Sequence, residues 1–315
     1  MDRHVLALIA LPAATQRALS SRYVLHHGPG APGEADLPAA ARQAVAVVTN
    51  GSTGLSRAAM AQLPALRLVC AFGAGHENID LAAAQERGIV VVHAPGINDE
   101  TVADHALGFM LALSRGYGPL TRAVGAGRWA DVRMARPTLS GATLGIIGMG
   151  RIGRAIARRA AGFRMRVLYF NRSLQPQELG TRVDSVVALA RQSDFLVAAC
   201  PGGPATHHLI DKPVLDALGP EGYVINVARG SVVCTQDLVA ALLARSIAGA
   251  GLDVLEAEPQ VPPELVGLDH VLVTPHMAGR SPAAQALQHE VLLGQLEAYF
   301  AGRPLASQLT GQPAA

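Results

Sequence analysis

The chain has few cysteines, little charge imbalance and no long apolar run, and each shortage removes a class of protein. Cys70, Cys200 and Cys234 are the three cysteines in 315 residues. Odd in number and widely spaced, they make neither a disulfide framework nor a zinc site, and no metal is expected. Buried thiols in a reducing cytoplasm are the expected state. The formal net charge of +2 gives no reason to look for nucleic acid as a partner. No run is long enough to span a membrane. The apolar stretch over residues 5–11 is short, and Asp2 offsets Arg3, so it reads as a first buried strand and not as a secretory leader. Solenoid repeats and low-complexity tracts are lacking too. What remains is a chain that is 50% apolar, long enough for one large domain or two ordinary ones.

The pattern along the chain is alternation. Apolar runs at 5–9, 45–48, 68–71 and 89–92 read as strands, with helical patterns at 12–20, 56–62 and 81–87 between them. Residues 28–38, rich in Gly and Pro, read as a loop. Asp99 opens a long helical pattern that runs to about Arg115, with Asp99 or Thr101 near its cap. A second strand series follows at 144–147, 167–170, 195–199, 223–227, 249–252 and 271–273, and residues 282–300 close the chain as a helix. Such alternation predicts an α/β protein with parallel sheets. The expected arrangement is two Rossmann-like domains, with residues 99–282 inserted into a domain built from 1–98 and 283–315. Ligands of such sheets bind beyond the carboxyl ends of the strands.

The second series begins with Thr-Leu-Gly-Ile-Ile-Gly-Met-Gly-Arg-Ile-Gly, an apolar strand running into a G-x-G-x-x-G turn and a helix. Gly148 permits the tight turn, Gly150 lets backbone approach a pyrophosphate, and Gly153 lets helix pack on strand. With Met149, Arg151 and Ile152 between and beside them, these residues offer N–H groups at a helix N-terminus, a dinucleotide cradle. Arg151, Arg154, Arg158 and Arg159 make the helix basic, toward phosphate or solvent. The next strand ends at Asn171, Arg172 and Ser173. NAD-binding units usually carry an acid there, about 20 residues on, for the ribose 2′-hydroxyl. Here the acid is missing and an Arg follows, which favours NADP(H) over NAD(H) because a guanidinium pairs with a 2′-phosphate that a carboxylate repels.

Three later segments place polar residues at strand ends: Arg229 after Val-Ile-Asn-Val-Ala, Asp253 and Glu258 in Leu-Asp-Val-Leu-Glu-Ala-Glu-Pro, and His276 in Val-Thr-Pro-His. An Arg, a carboxylate and a His beyond a dinucleotide turn fit hydride transfer to a 2-keto acid. Arg229 holds the substrate carboxylate, His276 exchanges the proton, and a glutamate orients the imidazole. Spacing alone does not choose between Glu256 and Glu258 for that last role.

The order and spacing of these motifs resemble the D-isomer-specific 2-hydroxyacid dehydrogenases over nearly the whole chain, most closely the glyoxylate/hydroxypyruvate and hydroxyphenylpyruvate reductase branch. The resemblance implies a flavodoxin-like substrate domain and selects Glu258 as the partner of His276. It implies that Gly73, Ala74 and Gly75 present N–H groups to the substrate carboxylate, with Cys200, Pro201, Thr206, Val227, Ala228, Asp253, Ala278 and Gly279 near the cofactor. It further implies a homodimer joined through the nucleotide domain, with Trp129 a candidate for reaching the partner's site. The chain departs from the family pattern at Gly202, Gly203, His76, Glu77, Ala278, Gly279 and Arg280, which bears on the substrate's side-chain end, where Asn50 and Arg280 are further candidate contacts. The function so implied is NADPH-dependent reduction of glyoxylate, hydroxypyruvate or an aryl-pyruvate to the D-hydroxy acid. Two other readings stay open: an NAD-dependent enzyme of phosphoglycerate type, and a non-catalytic NAD(H)-sensing scaffold.

Overall fold

The computed structural model describes residues 3–28, 37, 39–172 and 179–310. The chain forms two compact units, residues 1–98 with 281–315, and residues 99–280. The passage out of the second unit falls at Ser281, slightly earlier than the sequence pattern, because the Ser281 hydroxyl accepts the Ala284 N–H and starts the closing helix there.

The first unit contains β1 (His4–Ala7), α1 (Ala13–Ser20), β2 (Val24–His27), β3 (Ala46–Thr49), α2 (Arg57–Ala61), β4 (Leu68–Ala71), α3 (Leu81–Glu86) and β5 (Val90–Val92). Its five parallel strands run β2-β1-β3-β4-β5, the flavodoxin-like order. Every residue of β3 and β4 is buried, which is why both read as unbroken apolar runs. One face of the sheet packs Leu6, Val47, Val69 and Val91 against Met60 and Leu63. Strand β2 escapes the sequence pattern because Val24-Leu-His-His is a half-exposed edge. Most of the expected loop at 28–38 lies outside the described residues.

The second unit contains α4 (Asp99–Arg115), α5 (Tyr117–Gly125), β6 (Thr143–Ile147), α6 (Arg151–Gly162), β7 (Arg166–Phe170), β8 (Thr181–Arg182), α7 (Val186–Ala190), β9 (Phe195–Ala198), α8 (Lys212–Leu218), β10 (Tyr223–Asn226), α9 (Thr235–Leu243), β11 (Gly249–Leu252) and β12 (Val271–Val273). All seven strands are parallel, in the order β12-β11-β10-β9-β6-β7-β8. Counted from β6, that is the Rossmann order with one strand added, and its direction reverses between β6 and β9. The last helix, α10 (Pro282–Phe300), belongs to the first unit and buries Leu292 and Leu296 beside Val5, Val48 and Leu68.

Three arginines of α6 combine exposure to solvent with ion pairs to α4. Arg151 Nε donates to Asp99 Oδ2 at 2.7 Å, Arg159 Nε to Asp104 Oδ1 at 2.6 Å, and Arg159 Nη2 lies 2.7 Å from Glu100 Oε2. Arg158 adds a looser contact to Glu100 at 3.6 Å. This ladder zips α6 to the acidic first turns of α4. Its members are largely exposed, so each pair is worth at most about 1 kcal/mol, and the ladder sets helix register more than stability.

Candidate active site

The glycine turn lies where the strand order of the second unit reverses. Gly148 has φ +96°, and a Cβ there would stand 2.7 Å from the Cα of Cys200, so both conformation and space demand glycine. A Cβ on Gly153 would meet the Gly148 carbonyl oxygen at 2.1 Å, so α6 sits against its own turn. Gly150 is different: it is the N-cap of α6, and a Cβ there meets nothing within 4 Å. The turn therefore leaves open space above a helix N-terminus, which fits a dinucleotide pyrophosphate. Arg151 contributes its backbone to this terminus, while its guanidinium is engaged by Asp99.

Beyond β7, Asn171 Oδ1 accepts the Met149 N–H at 3.2 Å and braces the turn from the side. Arg172 is exposed at the rim, close enough that its charge acts on the Cys200 thiol. Burial pushes that thiol up to about 11, and Arg172 offsets only part of the rise. Cys200 and Cys234 are half-buried, against the expectation of three buried thiols, and Cys70 alone is fully so. Ser173 lies outside the described residues. Across the crevice, the Thr206 hydroxyl donates to the carbonyl of Pro201 at 2.7 Å and closes the loop after β9.

Arg229 follows β10 through Val227 and Ala228. The turn is held by Asn226, 1% exposed, whose Oδ1 accepts the Ala228 N–H at 3.1 Å and whose Nδ2 donates to the Arg229 carbonyl at 2.9 Å. Arg229 Nη1 donates to the Ala228 carbonyl at 2.7 Å. A Cβ on Gly202 would stand 2.8 Å from Arg229 Cγ. A side chain at position 202 would press on the stem of the arginine arm as it stands here.

His276 sits in the left-handed region, at φ +50°, just past β12. Its N–H donates to the Asp253 carbonyl at 2.8 Å. The Asp253 carboxylate, 3% exposed, accepts from the Thr274 hydroxyl at 2.6 Å, the Met277 N–H at 2.8 Å and the Ala278 N–H at 2.9 Å. His105 reaches Thr274 Oγ1 at 3.0 Å from α4. One buried carboxylate therefore fixes the whole His276 turn, with Ala278 buried and Gly279 after it. The imidazole Nδ1 is 2.9 Å from Glu258 Oε2, and Glu258 Oε1 accepts the Leu255 N–H at 3.0 Å. Burial alone would push the Glu258 carboxyl up. The hydrogen bonds from His276 and Leu255, with the charges of His276 and Arg229, more than offset it and hold the carboxyl below its ordinary value. Glu256 is occupied elsewhere, with His208 Nε2 at 2.6 Å and the Thr235 N–H at 2.9 Å.

Gly73, Ala74 and Gly75 belong to the first unit. Gly73 has φ +138°, its carbonyl accepts the Ala94 N–H at 2.8 Å, and the Ala74 carbonyl takes His93 Nδ1 at 2.9 Å. Asn50 Oδ1 accepts the Thr53 N–H at 2.7 Å. Arg280 lines a cavity of about 380 Å³ in the second unit with His105, Phe109 and Met277. Trp129 is 65% exposed on its own chain. Sequence reading gave Asp253 as a cofactor contact but missed its part as anchor of the His276 turn, and it missed Asn226 altogether. A polar residue closing an otherwise apolar strand was the available signal for both.

Comparison with known proteins agrees with this geometry. Residues 107–278 match the model of the D-isomer specific 2-hydroxyacid dehydrogenase NAD-binding domain. The chain is 38% identical over 304 residues to a hydroxyphenylpyruvate reductase of Plectranthus scutellarioides, covering 96% of this chain and 97% of that one. It is 41% identical over 261 residues to a glyoxylate/hydroxypyruvate reductase A of Arabidopsis thaliana, covering 82% and 83%. The structure of an NADPH-dependent glyoxylate/hydroxypyruvate reductase from Sinorhizobium meliloti, bound to NADP and malonate, superposes with TM-score 0.91 at 31% identity over the full length of both chains. The chain belongs to the D-isomer-specific 2-hydroxyacid dehydrogenase family and is an NAD(P)-dependent oxidoreductase.

Proposed function

We propose that the protein reduces a 2-keto acid (glyoxylate, hydroxypyruvate or an aryl-pyruvate) to the D-2-hydroxy acid, with NADPH preferred and NADH as the possible alternative. The observation that carries the chemistry is the His276–Glu258 pair at 2.9 Å, with Arg229 acting on the same carboxylate. When bound, the reduced nicotinamide supplies the hydride. Arg229 offers its planar fork to the substrate carboxylate and polarises the carbonyl. With Nδ1 facing Glu258, the imidazole has Nε2 left to give a proton to the developing alkoxide oxygen. Glu258 stabilises the protonated ring before transfer and keeps it in place after. In the first unit the Gly73 N–H is already given to the Ala71 carbonyl at 2.9 Å, so of that turn the Ala74 and Gly75 N–H groups are the candidate donors for a carboxylate.

Asn171 and Arg172 support the NADP reading. An amide that braces Met149 stands where an acid would repel a 2′-phosphate, and Arg172 stands exposed beside it. A charge-assisted contact contributes about 1.5–3 kcal/mol, or one to two decades of affinity. The intact His276–Glu258 pair favours an enzyme over a non-catalytic sensing scaffold. A homodimer is supported by Tyr117, Val124, Trp129 and Met134, all exposed in one stretch of the second unit. A cytoplasmic setting is supported by three unpaired cysteines. No helix among the described residues is long and apolar enough to cross a membrane.

Steady-state turnover of glyoxylate, hydroxypyruvate and phenylpyruvate-type acids, each with NADPH and NADH below saturation, tests the reading. NADPH should lead by one to two decades, and Asn171→Asp with Arg172→Ala should reverse the order. Equal use of both nucleotides refutes the cofactor preference. Failure to turn over any 2-keto acid refutes the activity.

A further inference from the structure

A second cluster of metal-ligating groups lies one short loop from the catalytic pair. His207 and His208 follow the turn after β9, and Glu256 lies two residues before Glu258. Among the described residues, a ring nitrogen of His207, one of His208 and a carboxylate oxygen of Glu256 all lie within 4.8 Å of one another. The two imidazoles stack with centroids 3.8 Å apart and planes 29° apart, so one ring turns out of the stack for both nitrogens to face a shared ion. His208 Nε2 is 2.6 Å from Glu256 Oε1.

Two of the three ligands, Glu256 and His208, are backed by the fold. The other oxygen of Glu256 accepts the Thr235 N–H at 2.9 Å, so one carboxylate oxygen is fixed and the other faces the imidazoles. Burial would raise that carboxyl, but its bonds to Thr235 and His208 bring it below its ordinary value, and it stays ionised. His208 is held at φ +50° by its N–H to the Ser231 carbonyl at 2.8 Å. A Cβ on Gly230 would stand 2.0 Å from the Leu255 carbonyl carbon and 2.4 Å from the Glu256 nitrogen, so the backbone there lies directly against the Glu256 loop. The loops carrying His208 and Glu256 are thus both packed against the segment that follows Arg229.

We propose that His207, His208 and Glu256 form a binding site for a divalent transition-metal cation of the zinc class, separate from the reaction centre. Two imidazoles and one carboxylate are three borderline ligands, the protein set of a four-coordinate zinc site with water in the fourth position. Ligand atoms at about 2.0–2.2 Å from a tetrahedral zinc lie roughly 3.4 Å apart. The His208–Glu256 contact therefore opens by a little under about 1 Å, which side chains at the surface allow. An all-oxygen preference excludes magnesium and calcium. Bound metal ties the loop after β9 to the loop that carries Glu258.

Equilibrium dialysis of untagged full-length protein against Zn²⁺ at neutral pH tests this. The wild type should bind one Zn²⁺ per chain, and its thermal midpoint should rise with Zn²⁺ but not with Mg²⁺. His207→Asn and His208→Asn should each weaken binding by roughly tenfold or more and abolish the thermal shift. Melting in metal-free buffer should be unchanged for His207→Asn, which shows that it folds. Glu256→Gln gives a further variant if His208→Asn melts early. No Zn²⁺ bound by the wild type overturns the site. So does equal binding in the His207 variant, or a loss confined to one of the two histidines.

Discussion

Replacing Glu258 by glutamine probes how this site holds its proton. The carboxylate lies 2.9 Å from the His276 imidazole, and both side chains are about one-third exposed. Unit charges at that separation interact by about 1.4 kcal/mol at a water-like dielectric, and by several times more in a drier setting. Exposure places this pair toward the watery end. A difference of about 1.36 kcal/mol is tenfold in rate. Glu258→Gln should therefore slow the reduction at neutral pH by about tenfold, because the proton-bearing ring loses the negative charge that faces it. The single oxygen of the glutamine can accept from Nδ1 or from the Leu255 N–H but not from both, so one of the two bonds is lost with the charge. The carboxyl of Glu258 is held below its ordinary value in the folded chain. Its contribution to stability is thus complete above that ordinary value and is lost as pH falls through the folded one. Wild type and variant should differ by up to about 1 kcal/mol at pH 6 and converge in acid. Initial rates from pH 5 to 10, with melts across the acid range, check both statements. A variant that reduces substrate at the wild-type rate removes Glu258 from the proposed role.

Two further substitutions separate function from scaffold. Arg229→Lys keeps the charge and loses the planar fork, so substrate affinity and turnover should both fall while stability stays within about 1 kcal/mol; a variant that unfolds yet shows normal residual kinetics would make the residue structural. Asp253→Asn turns one acceptor oxygen into a donor that faces either the Thr274 hydroxyl and the Met277 N–H or the Ala278 N–H. It should cost about 1–3 kcal/mol and depress turnover by disordering the His276 turn. Unchanged melting with unchanged turnover would mean that the turn holds itself.

The parts legible in the sequence are those where one interaction dominates. The buried parallel strands show as unbroken apolar runs because both faces are covered, and the glycine turn shows because Gly148 and Gly153 admit no side chain. The parts that escaped depend on partners far away in sequence. Strand β2 and the two-residue β8 pair at sheet edges, with too little apolar content to stand out. Helix α5 begins after Gly116 in the left-handed region and carries Pro119 in its first turn, which reads locally as a loop. The choice of Glu258 over Glu256 is a matter of direction: one faces His276, the other faces His208 and Thr235, and spacing says nothing of either. The Arg151 guanidinium was likewise claimed by Asp99, 52 residues earlier.

The central claim is that His276 delivers the proton to a reduced 2-keto acid. Oxidation of NADPH by glyoxylate or hydroxypyruvate, compared between wild type and His276→Ala, tests it most directly. Turnover should fall by roughly two to four decades, with NADPH affinity and thermal midpoint essentially those of the parent. A His276→Ala enzyme that turns over within a few-fold of the wild type would contradict it.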